Sequence, residues 1–342
     1  MAFLVTGGCG FVGSNVAAEL LRDHAKVIVL DNLSRSGAPA NLQWLRTLGS
    51  FEFTHADVRN SHDLDLVLDR GGVECVFHLA GQVSMTNSLT SPRRDFDINV
   101  GGSINLLEAV RRHAPEATIV YASSNKVYGD LEGVHLEELA TRYQPANGKL
   151  GIDESARLDF RTPYGCSKGA ADQYMLDYAR AYGLRTVVFR HSTIYGGRQT
   201  STFDQGWVGW FCKQAVATVQ NPAHRFTING DGKQVRDLLY VSDAVRCYRA
   251  AHAQIAQAAG QVFNIGGGAE NSMSLVELFA HLEQKMNIRM IYDRLPWRNS
   301  DQKYFVADDS KARTILRWSP EVGKFRGIES TLEWEQAQTP NT

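Results

Sequence analysis

Short apolar runs alternate with segments of helical period from the first residues of the chain. AFLVTGG (2–8) and KVIVLDN (26–32) flank VGSNVAAELLRDH (12–24), and ECVFHLAG (74–81), TIVYASS (118–124) and RTVVFRH (185–191) repeat the theme. Runs such as VIVL and TIVYAS have no polar face, which predicts strands buried on both sides of a parallel sheet. Strand and helix in strict alternation predict βαβ units and hence an α/β protein with a doubly wound sheet.

From about residue 195 the rhythm loosens into YGGRQTSTFDQGWVGWFCKQAV, a DG turn in INGDGKQVRDLLYV, and helical patterns over 243–259 and 275–285. This predicts a first domain over 1–194 and a smaller C-terminal α/β lobe over 195–342. Segments around 235–267 are expected to return to the first domain, with FNIGG (263–267) adding a strand to the main sheet. The last residues, QAQTPNT, read as a disordered tail.

The glycines sharpen this picture. TGGCGFVG places Gly7, Gly10 and Gly13 between the first strand and the first helix, with Phe11 and Val12 between them. Such a loop permits a tight turn and lets backbone N–H groups and a helix N-terminus approach a pyrophosphate, so the sheet is expected to be of Rossmann type. The second strand ends at Asp31, where a carboxylate can bond the adenine ribose hydroxyls and repel a 2′-phosphate; NAD is therefore favoured over NADP, with Arg35 nearby arguing the other way. Asn32 and Ser34 share that loop. Asp57 and Val58, after the third strand, fall where an adenine edge can be held, and Leu79, Ala80 and Gly81 close the fourth strand with residues that let a cofactor lie against backbone. His78 reads as a packed or capping histidine.

Tyr164 and Lys168 in YGCSK are four residues apart and face the same way on a helix. A tyrosine is a poor base at neutral pH unless an ammonium and a cationic nicotinamide stabilise its phenolate; it then accepts a hydroxyl proton as hydride leaves the same carbon. Ser124, at the end of TIVYASS, completes the set.

In this order TGGCGFVG, DNLS, HLAG, INVGGSINLLEA, SSNKVYG, YGCSK, FRHSTIYGGRQ, GKQVRDLLYVSDA and FNIGG resemble the extended short-chain dehydrogenase/reductase family, the nucleotide-sugar epimerases and dehydratases, over nearly the whole chain. The resemblance implies that Ser124 bonds the reacting sugar oxygen, Tyr164 exchanges its proton and Lys168 holds the nicotinamide ribose. Asn99 falls on a motif beside the cofactor, and Arg236 and Arg298 match arginines that grip a nucleotide diphosphate. Thr193 stands where the family often has a diphosphate-binding Asn, and His191, two residues before it, either faces the sugar or is a bonded interior histidine. Asn125 and Lys126 occupy the positions of the Asp and Glu that expel water in the resembling 4,6-dehydratases. Neither an amide nor an ammonium replaces that acid and base, so dehydration is disfavoured and hydride chemistry remains.

Within the family the runs DNLSRSGAPANLQWL, HLAGQVSMTNS and DQGWVGWFCKQAV are most similar to members that invert C2 of a CDP-linked hexose. That implies a CDP-sugar substrate bound near Ser124, Asn125, His191 and Thr193, with 4-epimerisation of a UDP- or other NDP-hexose as the alternative. An NAD-sensing scaffold without turnover has no need of Tyr164 and Lys168 together. Helical stretches at 98–112 and 170–181 match the family's dimer-forming pair, implying a homodimer or homotetramer.

Charge adds an exclusion. Lys plus Arg, 36, nearly cancels Asp plus Glu, 37, which gives nucleic acid or an acidic membrane no bulk attraction. Five scattered cysteines with no CxxC spacing argue against a disulfide framework and against a zinc site, and with no leader or membrane-spanning run the expected place is the cytoplasm.

Overall fold

The computed structural model describes residues 1–298 and 300–338. Its centre is a seven-stranded sheet, all parallel, ordered Gln261–Ile265, Arg185–His191, Thr118–Ser124, Val73–His78, Ala2–Thr6, Lys26–Asp31, Glu52–His55. The chain therefore starts in the middle, runs to one edge, and crosses back to build the other half. This leaves a switch point between the first and fourth strands, where the strand ends open a crevice. Adjacent residues of each strand point to opposite faces. Val5, Phe77, Val120 and Phe189 join the core under the helices Phe11–Arg22 and Val241–Ala253, while Leu4, Val76, Ile119 and Val188 join the one under Ser61–Leu68, Gly102–His113 and Thr162–Tyr182. With both faces covered, the strands need no polar side, as their composition predicts.

The expected seventh strand at 263–267 is present as Gln261–Ile265, parallel to Arg185–His191. Val235–Tyr240, by contrast, is the centre of a separate small sheet, with Thr193–Tyr195 and Tyr304–Phe305 parallel and Ser272–Ser274 antiparallel to it. Around it a third core gathers Val208, Phe211, Phe226, Leu278, Phe279 and Ile328. The helix expected over 98–112 opens with a π-helical turn, Asp97–Gly101, before the α-helix Gly102–His113. Gln336–Gln338, read as part of a disordered tail, complete the helix Lys324–Gln338; the rest of that tail, 339–342, lies outside the described residues.

Candidate active site

The crevice at the strand ends holds a cleft of about 820 Å³. On one wall Gly7, with φ of 66°, turns the chain where a Cβ would lie 2.6 Å from the Ala80 nitrogen, and a Cβ at Gly13 would lie 2.2 Å from the Gly7 carbonyl oxygen. Only glycine permits this packing of loop, helix and fourth strand. Gly10 starts the helix Phe11–Arg22, and no side chain caps it. The N–H groups of its first turn lack intrahelical partners, so the helix presents donors and the positive end of its dipole where Gly10, Phe11 and Val12 line the cleft.

Asp31 is buried at the end of its strand, accepting the Cys9 N–H at 2.9 Å and the Leu33 N–H at 2.7 Å. Burial pushes its pKa up, and these backbone bonds oppose the shift. Asn32 donates to Asp57 at 2.8 Å, and bonds from Arg59 hold the Asp57 carboxyl well below its usual range. Ser34 and Arg35 complete this end of the cleft, with the Arg35 guanidinium donating to Gln205 from the C-terminal lobe. Val58, Leu79, Ala80 and Gly81 line the adjoining wall. Uncapped helix start, a carboxylate lining the cleft and a backbone-lined floor together fit a dinucleotide.

At the other end Ser124, Tyr164, Lys168, His191 and Thr193 line the same cleft. Tyr164 and Lys168 lie on the helix Thr162–Tyr182, and the Tyr164 N–H donates to Ser88 Oγ at 3.2 Å. Thr162, at a φ of 62°, is strained by about 1–3 kcal/mol just before Tyr164. Burial pushes the Tyr164 phenol up to about 12, a hydrogen bond with Ser124 opposing it. Burial brings Lys168 down to about 8, against the charges of Asp95 and Asp172. Lys168 Nζ sits 4.7 Å from the centre of the Tyr121 ring, and Ser124 and Arg35 favour the Tyr164 phenolate.

Four expected ligand-contacting residues lie outside the lining of the large cleft. Asn99 lies behind the cleft wall, donating to Ser167 Oγ at 2.9 Å and accepting the Gln82 N–H at 2.9 Å; it sits under Gly81 as a brace. Arg236 is committed to Asp301 at 3.2 Å and to the Val235 carbonyl, because its burial demands partners for its charge. Arg298 bonds Asn229 and the Phe203 carbonyl, stacks on the Phe203 ring and lines a second cavity of about 360 Å³. Asn125, too, is turned from the large cleft, donating to Gln302 at 2.8 Å.

Both ring nitrogens of His191 are taken, by the Ser123 carbonyl at 3.1 Å and the Tyr248 hydroxyl at 2.9 Å, and burial beside Lys168 lowers its pKa to about 3. It faces the cleft as a neutral ring. His78 is buried between Thr6 and Ser103, as a packed histidine should be. Thr193 Oγ1 accepts the Trp207 indole N–H at 3.1 Å. Sequence reasoning missed Asp95, buried against Ser167, Gln82 and Asn99, because nothing in PRRDFDIN distinguishes it from Asp97 or marks it by spacing.

Comparisons with known proteins agree with this geometry. Residues 3–266 match the model of the NAD dependent epimerase/dehydratase family. The chain is 53% identical over 334 residues to a CDP-paratose 2-epimerase from Salmonella typhi, covering 98% of this chain and 99% of that one. A UDP-glucose 4-epimerase from Thermotoga maritima, solved with UDP-glucose, is 30% identical with a TM-score of 0.84 over 99% of each chain. One from Thermus thermophilus, solved with NAD, is 26% identical with a TM-score of 0.81 over 99% of this chain and all of that one. Glycine loop, switch-point cleft and near full-length similarity converge, and the chain belongs to the NAD dependent epimerase/dehydratase family.

Proposed function

We propose that the chain inverts C2 of a CDP-linked hexose, interconverting CDP-paratose and CDP-tyvelose through a transient 2-keto sugar. The observation that carries this reading is a Ser124–Tyr164–Lys168 set on one cleft wall, in a chain 53% identical to a CDP-paratose 2-epimerase. Ser124 holds the C2 oxygen, Tyr164 takes the hydroxyl proton and later returns it, and Lys168 holds the nicotinamide ribose. Gly10, Phe11, Val12 and Asp31 hold the rest of the cofactor. NAD, when bound, supplies the hydride acceptor and a positive charge beside a phenol that the protein alone keeps near 12. Asn125 and Lys126 offer no acid–base pair for dehydration; burial near Arg236 brings the Lys126 ammonium down to about 8.

Inversion at C4 of a UDP-hexose is the second reading, favoured by the likeness to the Thermotoga maritima enzyme. Incubation with a panel of CDP-, UDP- and dTDP-sugars, with products resolved by NMR, separates the two. Epimer formed from the CDP-hexose is expected; turnover of UDP-glucose alone would overturn the first reading.

NAD should remain bound through purification, since the cofactor ends each cycle oxidised and Arg35 bridges to Gln205 beside it. Denaturing the protein and assaying the supernatant should recover NAD at close to one equivalent per chain. Recovery of mainly NADP would contradict the role given to Asp31.

The same reading makes this a cytoplasmic enzyme supplying a sugar nucleotide for surface polysaccharide. No helix among the described residues is long and apolar enough to cross a membrane. Exposed Phe96, Tyr174 and Tyr182, beside or on the helices over 98–112 and 162–182, support assembly as a homodimer or homotetramer.

A further inference from the structure

The two residues that stand in the dehydratase acid–base positions have found other partners. Asn125 Nδ2 donates to Gln302 Oε1 at 2.8 Å, and Gln302 Nε2 donates back to the Asn125 carbonyl at 3.3 Å and to the Gly129 carbonyl at 2.6 Å. Both side chains are buried. Lys126 Nζ donates to the Ser300 carbonyl at 3.1 Å, and Ser300 is held at a φ of 55°, a conformation that costs energy outside glycine. One end of this array is Ser124, whose hydroxyl lies 3.4 Å from Asn125 Oδ1 and accepts the Lys126 N–H at 3.2 Å. The other end is the segment bearing Arg298 and Asp301, with Asp301 paired to Arg236. Neither Asn125, Lys126 nor Gln302 lines either cavity.

A buried amide pair satisfied on both sides has one arrangement, because any slip leaves desolvated polar groups unpaired. We propose that the Asn125–Gln302 pair, reinforced by Lys126, is a positioning latch. It fixes Ser124, on the large cleft, and Arg298 and Asp301, on the second cavity, in one frame, so that the reacting hydroxyl at Ser124 and a nucleotide end seated in that second cavity are held together. The inference rests on the sugar-nucleotide reading above. It gives Asn125, Lys126 and Gln302 roles through their neighbours, none touching substrate.

The test uses the NAD-containing protein and the variants Asn125→Ala, Gln302→Ala and their double. Because each removes buried bonds that orient both ends, each single variant should lower kcat about tenfold and weaken CDP binding, measured by calorimetry, about tenfold. NAD content should not change. The double variant should be no worse than the poorer single, as expected of one unit. A merely structural pair would lower the melting temperature and leave kcat and CDP affinity within about twofold of wild type, and that result, or losses that multiply in the double, overturns the latch. If an alanine variant fails to fold, Lys126→Met leaves the amide pair intact and should still weaken CDP about threefold; no change overturns the proposal. If wild-type protein ignores CDP but binds UDP or dTDP, the base assignment fails, and the same variants read the latch with that nucleotide.

Discussion

Replacing Tyr164 by Phe should lower kcat by at least about 10²-fold, the loss typical of removing a general acid or base. The change deletes one hydroxyl from a side chain that lines the cleft and is otherwise buried, so neither the helix Thr162–Tyr182 nor the NAD content should alter. Ser124→Ala should cost less, because in the proposed mechanism the serine orients the reacting oxygen, and its bond to the phenol lowers that pKa, without its carrying the proton. Steady-state kinetics of both variants, beside their NAD content, make the comparison. Near-wild-type turnover in Tyr164→Phe would remove the tyrosine from the chemistry.

The largest loss of stability should come from Asp172→Ala. Beneath the catalytic helix Asp172 takes two bonds from Arg190, each at 2.9 Å, and a third from Ser123 Oγ at 2.8 Å, with both members of the ion pair almost wholly buried. Arg190 also donates to the Tyr128 hydroxyl at 3.0 Å, which in turn donates to Asn264. Without the carboxylate a guanidinium stays desolvated and unpaired, a change that costs about 3–5 kcal/mol. Against a total stability of about 5–15 kcal/mol, that leaves a marginal protein. Urea unfolding should report the loss, and Asp172→Leu combined with Arg190→Met should be more stable than Asp172→Ala because no charge is stranded. A loss below about 1 kcal/mol in Asp172→Ala would mean that water reaches Arg190.

What the sequence made legible follows from the range of the forces involved. The glycine loop, Asp31 and the Tyr164–Lys168 pair are local patterns whose spacing is set by one turn or one helix, and they stand together on the cleft. The parallel sheet was legible from uninterrupted apolar runs, since burial on both faces leaves its mark in every residue. The partners of Arg236, Arg298 and Asn125 were not, because Asp301, Phe203 and Gln302 are 65 to 177 residues away and no periodicity connects them. The contact of Lys168 with Tyr121 was not legible either, because the ring comes from the strand Thr118–Ser124 and no helical spacing marks it. That Val235–Tyr240 pairs in a separate small sheet was not legible, as apolar pattern alone does not say which strand lies beside it.

The most direct measurement follows the hydrogen on the inverted carbon. CDP-paratose deuterated at C2 is converted in ordinary water, and the epimer is examined by NMR and mass spectrometry. Direct transfer through enzyme-held NAD predicts that the deuterium stays at C2 of the tyvelose product, with a primary isotope effect where hydride transfer limits the rate. Loss of the label to water would contradict transient oxidation, and inversion at C4 with C2 untouched would contradict the assigned position.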